Sequence, residues 1–285
     1  MTRQERWIPY MFLGPALLLI LAFRFLPALA GLRESLYGVS FLSNSKVFIG
    51  LENFQTIFKD SSFIQAVRVT VLFNLIVNPL QILLALALAV LVNQKVRGMS
   101  FFRSVLLLPV AVSITISAII GGMAMDESGL LNGILSALGL PPQPFLLSSR
   151  TALGSIIALS SWIGCPFWML FILAGLQNIS NEIYEAAAID GANAIRKFTS
   201  ITLPLLRRSL AFVLVSDTVA NFLLFVPIFI LTSGGPERST STIMYEAYRR
   251  GLVYGDIGAS SAMVTVLLLI VLVVIAVEFY FMRSE

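Results

Sequence analysis

Long apolar runs alternate with short polar stretches along the whole chain, and six of the runs reach the ~20 residues needed to cross a bilayer as a helix. They cover roughly residues 7–29, 63–92, 104–125, 151–176, 209–232 and 257–282. A mixed segment, Ala30–Ser62, follows the first. Short polar loops separate most of the others, and the longest polar interval, about 178–208, lies between the fourth and fifth. The pattern predicts an all-α membrane protein with about six spanning helices in one transmembrane domain over residues 1–285.

The N-terminus resembles a secretory signal, with Arg3 and Arg6 before an apolar run and "ALAG" at Ala28–Gly31. The run is too long for a signal core and contains Arg24, so the segment is expected to be retained. Lysine and arginine counted over short loops lean only slightly towards the side of both termini. There stand Arg3, Arg6, Lys95, Arg97, Arg103, Arg196, Lys197, Arg207, Arg208 and Arg283, with Arg24 inside the membrane. The basic short loops favour cytoplasmic termini.

Composition narrows the chemistry. The chain is 58% hydrophobic and 12% charged, about half the charged share of a soluble domain. It has no histidine, the commonest general base, and a single cysteine, Cys165, within an apolar run. Neither a disulfide framework nor a thiolate metal cluster is available. No G-x-x-x-x-G-K-[ST] occurs, so the chain does not hydrolyse ATP in the P-loop manner. The net charge of +4 suits basic loops at anionic lipid rather than nucleic acid.

The stretch "YEAAAIDGANAIRKFTSITLPLL", Tyr184–Leu206, departs from the lipid-soluble pattern. Ser180 is placed to cap a compact helix over "NEIYEAAAID". Gly191 permits a turn that a β-carbon would resist. "ANAIRKFTSI" predicts a second short helix, and Pro204 marks where the next span begins. Alanines 186–188 leave room for close approach by another protein.

With those residues in place the resemblance is specific. Glu185, Ala186, Ala187, Gly191, Ile201, Leu203 and Pro204 complete the signature E-A-A, three residues, G, nine residues, I, one residue, L-P. The chain thereby resembles the permeases of binding-protein-dependent ABC importers. "GLENFQTIF" and "LTSGGPERSTSTIMYEAYRRG" look like the carbohydrate-type branch, the maltose, multiple-sugar and glycerol-phosphate permeases. The resemblance implies a coupling helix around Glu185, Ala186, Ala187, Ala188, Asp190 and Gly191 that docks in a groove of a cytoplasmic ATPase. It also implies a second homologous permease subunit, two ATPase subunits and an extracytoplasmic solute-binding protein for a sugar-like substrate. ATP and magnesium then belong to partner subunits, and this chain binds no cofactor. The location implied is a bacterial or archaeal cytoplasmic membrane, multi-pass, with both termini cytoplasmic.

Polar residues inside spans default to functional hypotheses. Asp217 and Asn221 lie one turn apart, and Thr70, Asn74 and Asn78 recur every four residues with Gln81 near the same stripe. Amides and a carboxylate suit sugar hydroxyls. Trp162 and Trp168, around "WIGCPFW", could supply a stacking face, and Pro166 loosens the helix between them. The reading takes Asn74, Asn78, Trp162, Asp217 and Asn221 as the substrate pathway; the alternative for them is hydrogen bonding between packed helices. Arg24 and Glu278 are expected to snorkel to the interfaces. Relatives often have an aromatic-rich end to the third span, where this chain reads "AIIGGMAMDES", and Gly121 and Gly122 there allow close helix contact or a wider cavity. "STIMYEAYRRG" reads as a surface helix with Tyr245 and Tyr248 as interfacial aromatics, and Arg249 and Arg250 are candidates for contact with a binding protein. The functional alternative is a self-sufficient secondary transporter or channel using Asp217 as an ion-coupled carboxylate. Such proteins usually carry internal repeats, and the two halves of this chain show none.

Overall fold

The protein is described here by a computed structural model covering residues 8–39, 45–94 and 96–283. Arg3, Arg6 and Lys95, used in the charge count, and Trp7, the expected start of the first span, lie outside the described residues. Among the described residues six helical stretches are long and apolar enough to cross a membrane: Met11–Glu34, Ser61–Val92, Ile114–Ala137, Ala152–Gln177, Ala194–Leu231 and Ile257–Met282. Contacts divide the chain into two units, Met1–Ile64 with Glu246–Leu269, and Gln65–Tyr245 with Ile270–Glu285.

In the first unit α1 (Ile8–Ile20) and α2 (Leu26–Glu34) are joined by a π-helical turn, Leu21–Phe25. None of the apolar window of this span is buried within the chain. The mixed segment that follows is a short antiparallel hairpin, β1 (Tyr37–Val39) with β2 (Lys46–Phe48), and then α3 (Glu52–Lys59). Asn53 on α3 holds the segment together, its Nδ2 donating to Ser35 O at 2.8 Å and Tyr37 O at 2.9 Å. Gly258 belongs to the same knot, since a β-carbon there would lie 2.4 Å from Tyr37 O.

The second unit begins in α4 (Ser61–Val92) and continues through four short helices, α5 (Met99–Leu106), α6 (Leu108–Ala111), α7 (Ile114–Met125) and α8 (Leu130–Ala137). After them come α9 (Ala152–Gln177), α10 (Asn181–Ile189), α11 (Ala194–Lys197), α12 (Leu203–Phe222) and α13 (Val226–Leu231), while α14 (Ile243–Tyr248) and α15 (Ile257–Arg283) are each divided between the two units. The core of this unit is the meeting of α4, α9 and α12, where Ala85, Ala89, Met169, Ile172, Leu206 and Val213 are buried. Gly175 sets the spacing of α9 and α12, since a β-carbon on it would meet Ser209 Oγ at 2.4 Å. Gly121 and Gly122 serve close contact too, facing Leu159 of α9 and Leu231 of α13.

Three spans differ from the expected boundaries, the first because its helix runs on through Ala30 to Glu34. The helix expected over 104–125 is broken: Pro109 has no N–H to donate, Val112 is extended, and Ser113 caps a new helix by accepting from Ile116 N at 3.4 Å. The helix expected over 209–232 starts earlier, runs without a gap from α11 through a π turn, Phe198–Thr202, into α12, and stops at Phe222. Pro227, in the first turn of α13, marks the restart after that break.

Candidate transport site and coupling loop

Four polar side chains from α4 and α12 meet inside the second unit. Asn221 is the hub: its Nδ2 faces Asn78 Oδ1 at 2.8 Å, Gln81 Oε1 at 3.0 Å and Asp217 Oδ1 at 3.0 Å. Asn78 Nδ2 donates to Thr218 Oγ1 at 3.1 Å, and that hydroxyl donates to Glu278 Oε1 of α15 at 2.7 Å. Burial is nearly complete, with Asp217 1% and Gln81 1% exposed. The partners lie about 140 residues apart in sequence, so the network exists only once the helices have packed. Pro79 in α4 and Pro166 in α9 interrupt the helical ladders on either side, and irregular backbone at membrane depth is tolerated where it lines a cavity.

A cavity of about 340 Å³ opens beside the cluster, lined among others by Gln81, Ser160, Phe167, Trp168, Asp217 and Asn221. Two buried oxygens of its lining residues, Asp217 Oδ2 and Ser160 Oγ, have no hydrogen-bond partner. Buried groups left in this state are uncommon and mark places completed by water or ligand. A second cavity of about 320 Å³ is lined by Asn74, Asn78, Glu278 and apolar side chains, and here Asn74 Oδ1 and Glu278 Oε2 are unpartnered.

The structure therefore sorts the sequence-derived residues. Asp217, Asn221 and Asn78 are brought together. Asn74 lies one turn away, its Nδ2 spent on Thr70 O at 2.9 Å, and it faces the second cavity. Thr70 has a structural role, its hydroxyl oxygen accepting from Ile243 N at 2.9 Å. Trp162 lines neither cavity and is 46% exposed, whereas Trp168, six residues on, is 7% exposed and lines the first. Phe167 and Trp168 are the aromatic residues of α9 that line the first cavity. Glu278 does not snorkel to the interface but closes the hydrogen-bond chain through Thr218. Its ionisable side chain within a span was the available signal, and Thr218 gave none, being an ordinary helix-lining hydroxyl by sequence.

The loop between the fourth and fifth spans is built from caps. Ser180 Oγ accepts from Glu182 N at 3.3 Å and starts α10. Gly191, at φ +76°, ends it: Gly191 N donates to Ala188 O at 3.1 Å and Ala192 N to Ala187 O at 2.9 Å, the paired bonds of a Schellman cap. Asn193 Oδ1 accepts from Arg196 N at 2.9 Å and opens α11. Tyr184 OH bonds Thr202 Oγ1 at 2.9 Å and fastens the first helix of the hairpin to the second. Glu185, Ala186, Ala188, Asp190, Gly191 and Pro204 are exposed, and Ala187, Ile201 and Leu203 are half-buried. Two apolar side chains near the turn, Ile189 at 88% and Ile195 at 74% exposure, went unremarked in the sequence reading. An isolated isoleucine carries no signal until its neighbours are known to face away from the core.

Comparison with known proteins gives the family. Residues 81–284 match the family described as "Binding-protein-dependent transport system inner membrane component". The chain belongs to that family. It is 34% identical over 280 residues to the "sn-glycerol-3-phosphate transport system permease protein UgpA" of Agrobacterium fabrum, covering 98% of this chain and 95% of that protein. The protein of the same description from Escherichia coli is also 34% identical, over 99% and 96% of the two chains. The fold of this chain is shared with a bacterial ABC transporter involved in the import of the acidic polysaccharide alginate, at a TM-score of 0.86 and 24% identity, over 99% and 98% of the chains. A related structure, an alginate ABC transporter in complex with an alginate pentasaccharide-bound periplasmic protein, superposes at a TM-score of 0.85. This permease is the multi-pass, non-catalytic membrane subunit of an ABC importer that works with a binding protein, and ATP is bound by separate ATPase subunits. The self-sufficient secondary transporter is thereby set aside.

Proposed function

We propose that this permease forms one half of a pore for a sugar or related polyol, paired with a second, similar permease subunit. Two ATPase subunits sit under the coupling loops of the permease pair, one of them against the loop around Glu185, and an extracytoplasmic solute-binding protein delivers the substrate from outside. Both termini face the cytoplasm, in keeping with an even number of spans and basic short loops. The glycerol-3-phosphate and alginate importers among its relatives support a hydroxyl-rich substrate.

The observation that carries the assembly is the capped hairpin of α10 and α11, whose outer face offers Glu185, Asp190, small alanines and the exposed Ile189 and Ile195. Its internal hydrogen bonds fix its shape before any partner arrives, so movement of a docked ATPase passes to α12 rather than being lost in bending. The continuous path from α11 through Thr202 into Asp217 and Asn221 ties the same helix to the polar cluster. ATP binding closes the ATPase pair, the hairpin follows, and the pore turns from inward- to outward-facing; hydrolysis resets it. A docked binding protein favours the ATP-bound state only to the extent that it binds that state better.

Asn78, Asp217 and Asn221, with Gln81 and Trp168, form the part of the pathway contributed by this subunit. Purification in mild detergent from native membranes tests the assembly. Recovery of a P-loop ATPase and a second permease is the expected result, and a chain that emerges alone and moves solute in liposomes without ATP would overturn it.

A further inference from the structure

Charge and hydrogen-bond capacity at the first cavity constrain the substrate further than the family does. Among the described residues lining the cavity there is no lysine or arginine. Its one ionisable group is the Asp217 carboxyl. Asn221 Nδ2 has two hydrogens but faces three acceptors, so one of Asn78 Oδ1, Gln81 Oε1 and Asp217 Oδ1 is short of a donor at any moment. Asp217 Oδ2 makes no hydrogen bond of standard geometry, and the Trp168 indole is the one further donor facing the carboxyl among the described residues. The lining is thus over-supplied with acceptors, with the Ser160 hydroxyl, the Gln81 amide and the Trp168 indole as the donors beside them. Phe167 and Trp168, with ring centroids 4.9 Å apart, add an aromatic wall.

We infer that the substrate is uncharged and polyhydroxylated, its hydroxyls donating to Asp217 and the amide oxygens while its C–H face lies on Trp168. The inference rests on the pore reading above and narrows it. A hydroxyl both donates and accepts, so a sugar or polyol satisfies Asp217 Oδ2 and the surplus acceptor together. A phosphate or carboxylate brings acceptors only. If Asp217 is ionised, an anion meets a like charge in a low-dielectric site where the described residues of this subunit place no cation beside it. If it is protonated, it offers a single donor, and the anion's remaining oxygens compete with amide oxygens already short of donors. The glycerol-3-phosphate and alginate of the relatives are both anions, so the substrate of this chain is expected to differ from theirs.

The test uses the whole transporter, permease pair, ATPase and binding protein, purified together from native membranes. Small molecules released by denaturing the binding protein are separated by charge and weighed by mass spectrometry. An uncharged, polyhydroxylated compound is expected, and a phosphorylated or carboxylated one would overturn the inference. In liposomes loaded with ATP, labelled glycerol 3-phosphate and an alginate trisaccharide serve as anionic probes. Neither should enter above the ATP-free background, and ATP-dependent uptake of either counts against the inference. For the neutral compound, Asp217→Asn should raise KM at least threefold, with the amount of assembled complex unchanged. A KM that stays the same or falls is the outcome expected for an anion and also overturns the inference. Absence of the ATPase and binding protein from the preparation would instead sink the assembly reading, a result distinct from a charged cargo.

Discussion

The polar cluster between α4 and α12 and the hairpin of α10 and α11 are both polar features in an apolar chain, yet they are held in opposite ways. In the hairpin every stabilising bond joins residues close in sequence: Ser180 to Glu182, Gly191 to Ala188, Asn193 to Arg196, with Tyr184 to Thr202 the longest reach. In the cluster the decisive bonds join residues about 140 apart and are wholly buried. A partner-docking element needs a shape that survives without its partner. A substrate site needs groups whose bonding is incomplete until the substrate arrives, and in the proposed pathway Asp217 Oδ2, with no hydrogen bond of standard geometry, meets that need. Local bonding gives rigidity, and long-range bonding gives responsiveness.

The sharpest way to break this comparison is at the hub of the cluster. Asn221→Leu removes the only donor that reaches Asn78 Oδ1, Gln81 Oε1 and Asp217 Oδ1 together. Each stranded buried acceptor costs about 1–3 kcal/mol. The variant should lose roughly 2 kcal/mol or more of stability in thermal denaturation of the detergent-purified complex, and its uptake should collapse. A complex of unchanged stability would show that the cluster is not held by these bonds.

Gly191→Val strikes the hairpin. A β-branched residue at φ +76° meets a left-handed backbone that costs about 1–2 kcal/mol, concentrated at the turn. No neighbouring atom lies within 4 Å of the added β-carbon, so the strain is purely conformational. Expected is normal membrane insertion, continued ATP hydrolysis and uptake lowered by about tenfold, the energetic equivalent of ~1.4 kcal/mol. Undiminished uptake would remove the coupling role from the loop.

The same contrast governs what could be read in advance. Ser180, Gly191 and the restart at Ala192–Ile195 were legible because caps act over three or four residues, within reach of a sequence pattern. Asp217, Asn221 and Asn78 were legible as a group because polar residues in spans stand out against lipid-soluble neighbours. Which tryptophan faces inward was not. Trp162 and Trp168 sit six residues apart on one helix with Pro166 between them, and only the packing of α9 on α12 turns Trp168 towards the cavity. Glu278 resembles a snorkelling side chain in sequence because its partner, Thr218, lies 60 residues away. The break at Pro109–Ser113 carried its own local signal, a proline and a capping serine, but the apolar run on both sides outweighed it.

A smaller effect is expected at the start of the hairpin. Ser180→Ala deletes the cap that receives Glu182 N, which should destabilise α10 by about 1 kcal/mol. Hydrogen exchange should quicken in the first turn of α10 and stay unaltered at Asn221. Slowed transport alongside faster exchange would mean that the helix end itself takes part in docking.

The mildest test concerns the bond from Tyr184 to Thr202, which caps neither helix of the hairpin. Tyr184→Phe removes the hydroxyl that bonds Thr202 Oγ1, a loss of about 0.5–1.5 kcal/mol, and leaves the ring in place. Thr202 keeps a second bond, donating to Lys197 O at 3.3 Å, so α12 loses no backbone support. Ser180, Gly191 and Asn193 go on shaping each helix of the hairpin, but their orientation towards one another is no longer pinned. The hairpin should therefore remain folded while ATP hydrolysis and uptake become less tightly matched, the solute moved per ATP falling to roughly a third to a half of the wild-type ratio (~0.4–0.7 kcal/mol). An unchanged ratio would assign the transmission of movement to the continuous backbone from α11 into α12 alone, and Tyr184 would then be a packing residue of the hairpin and no more.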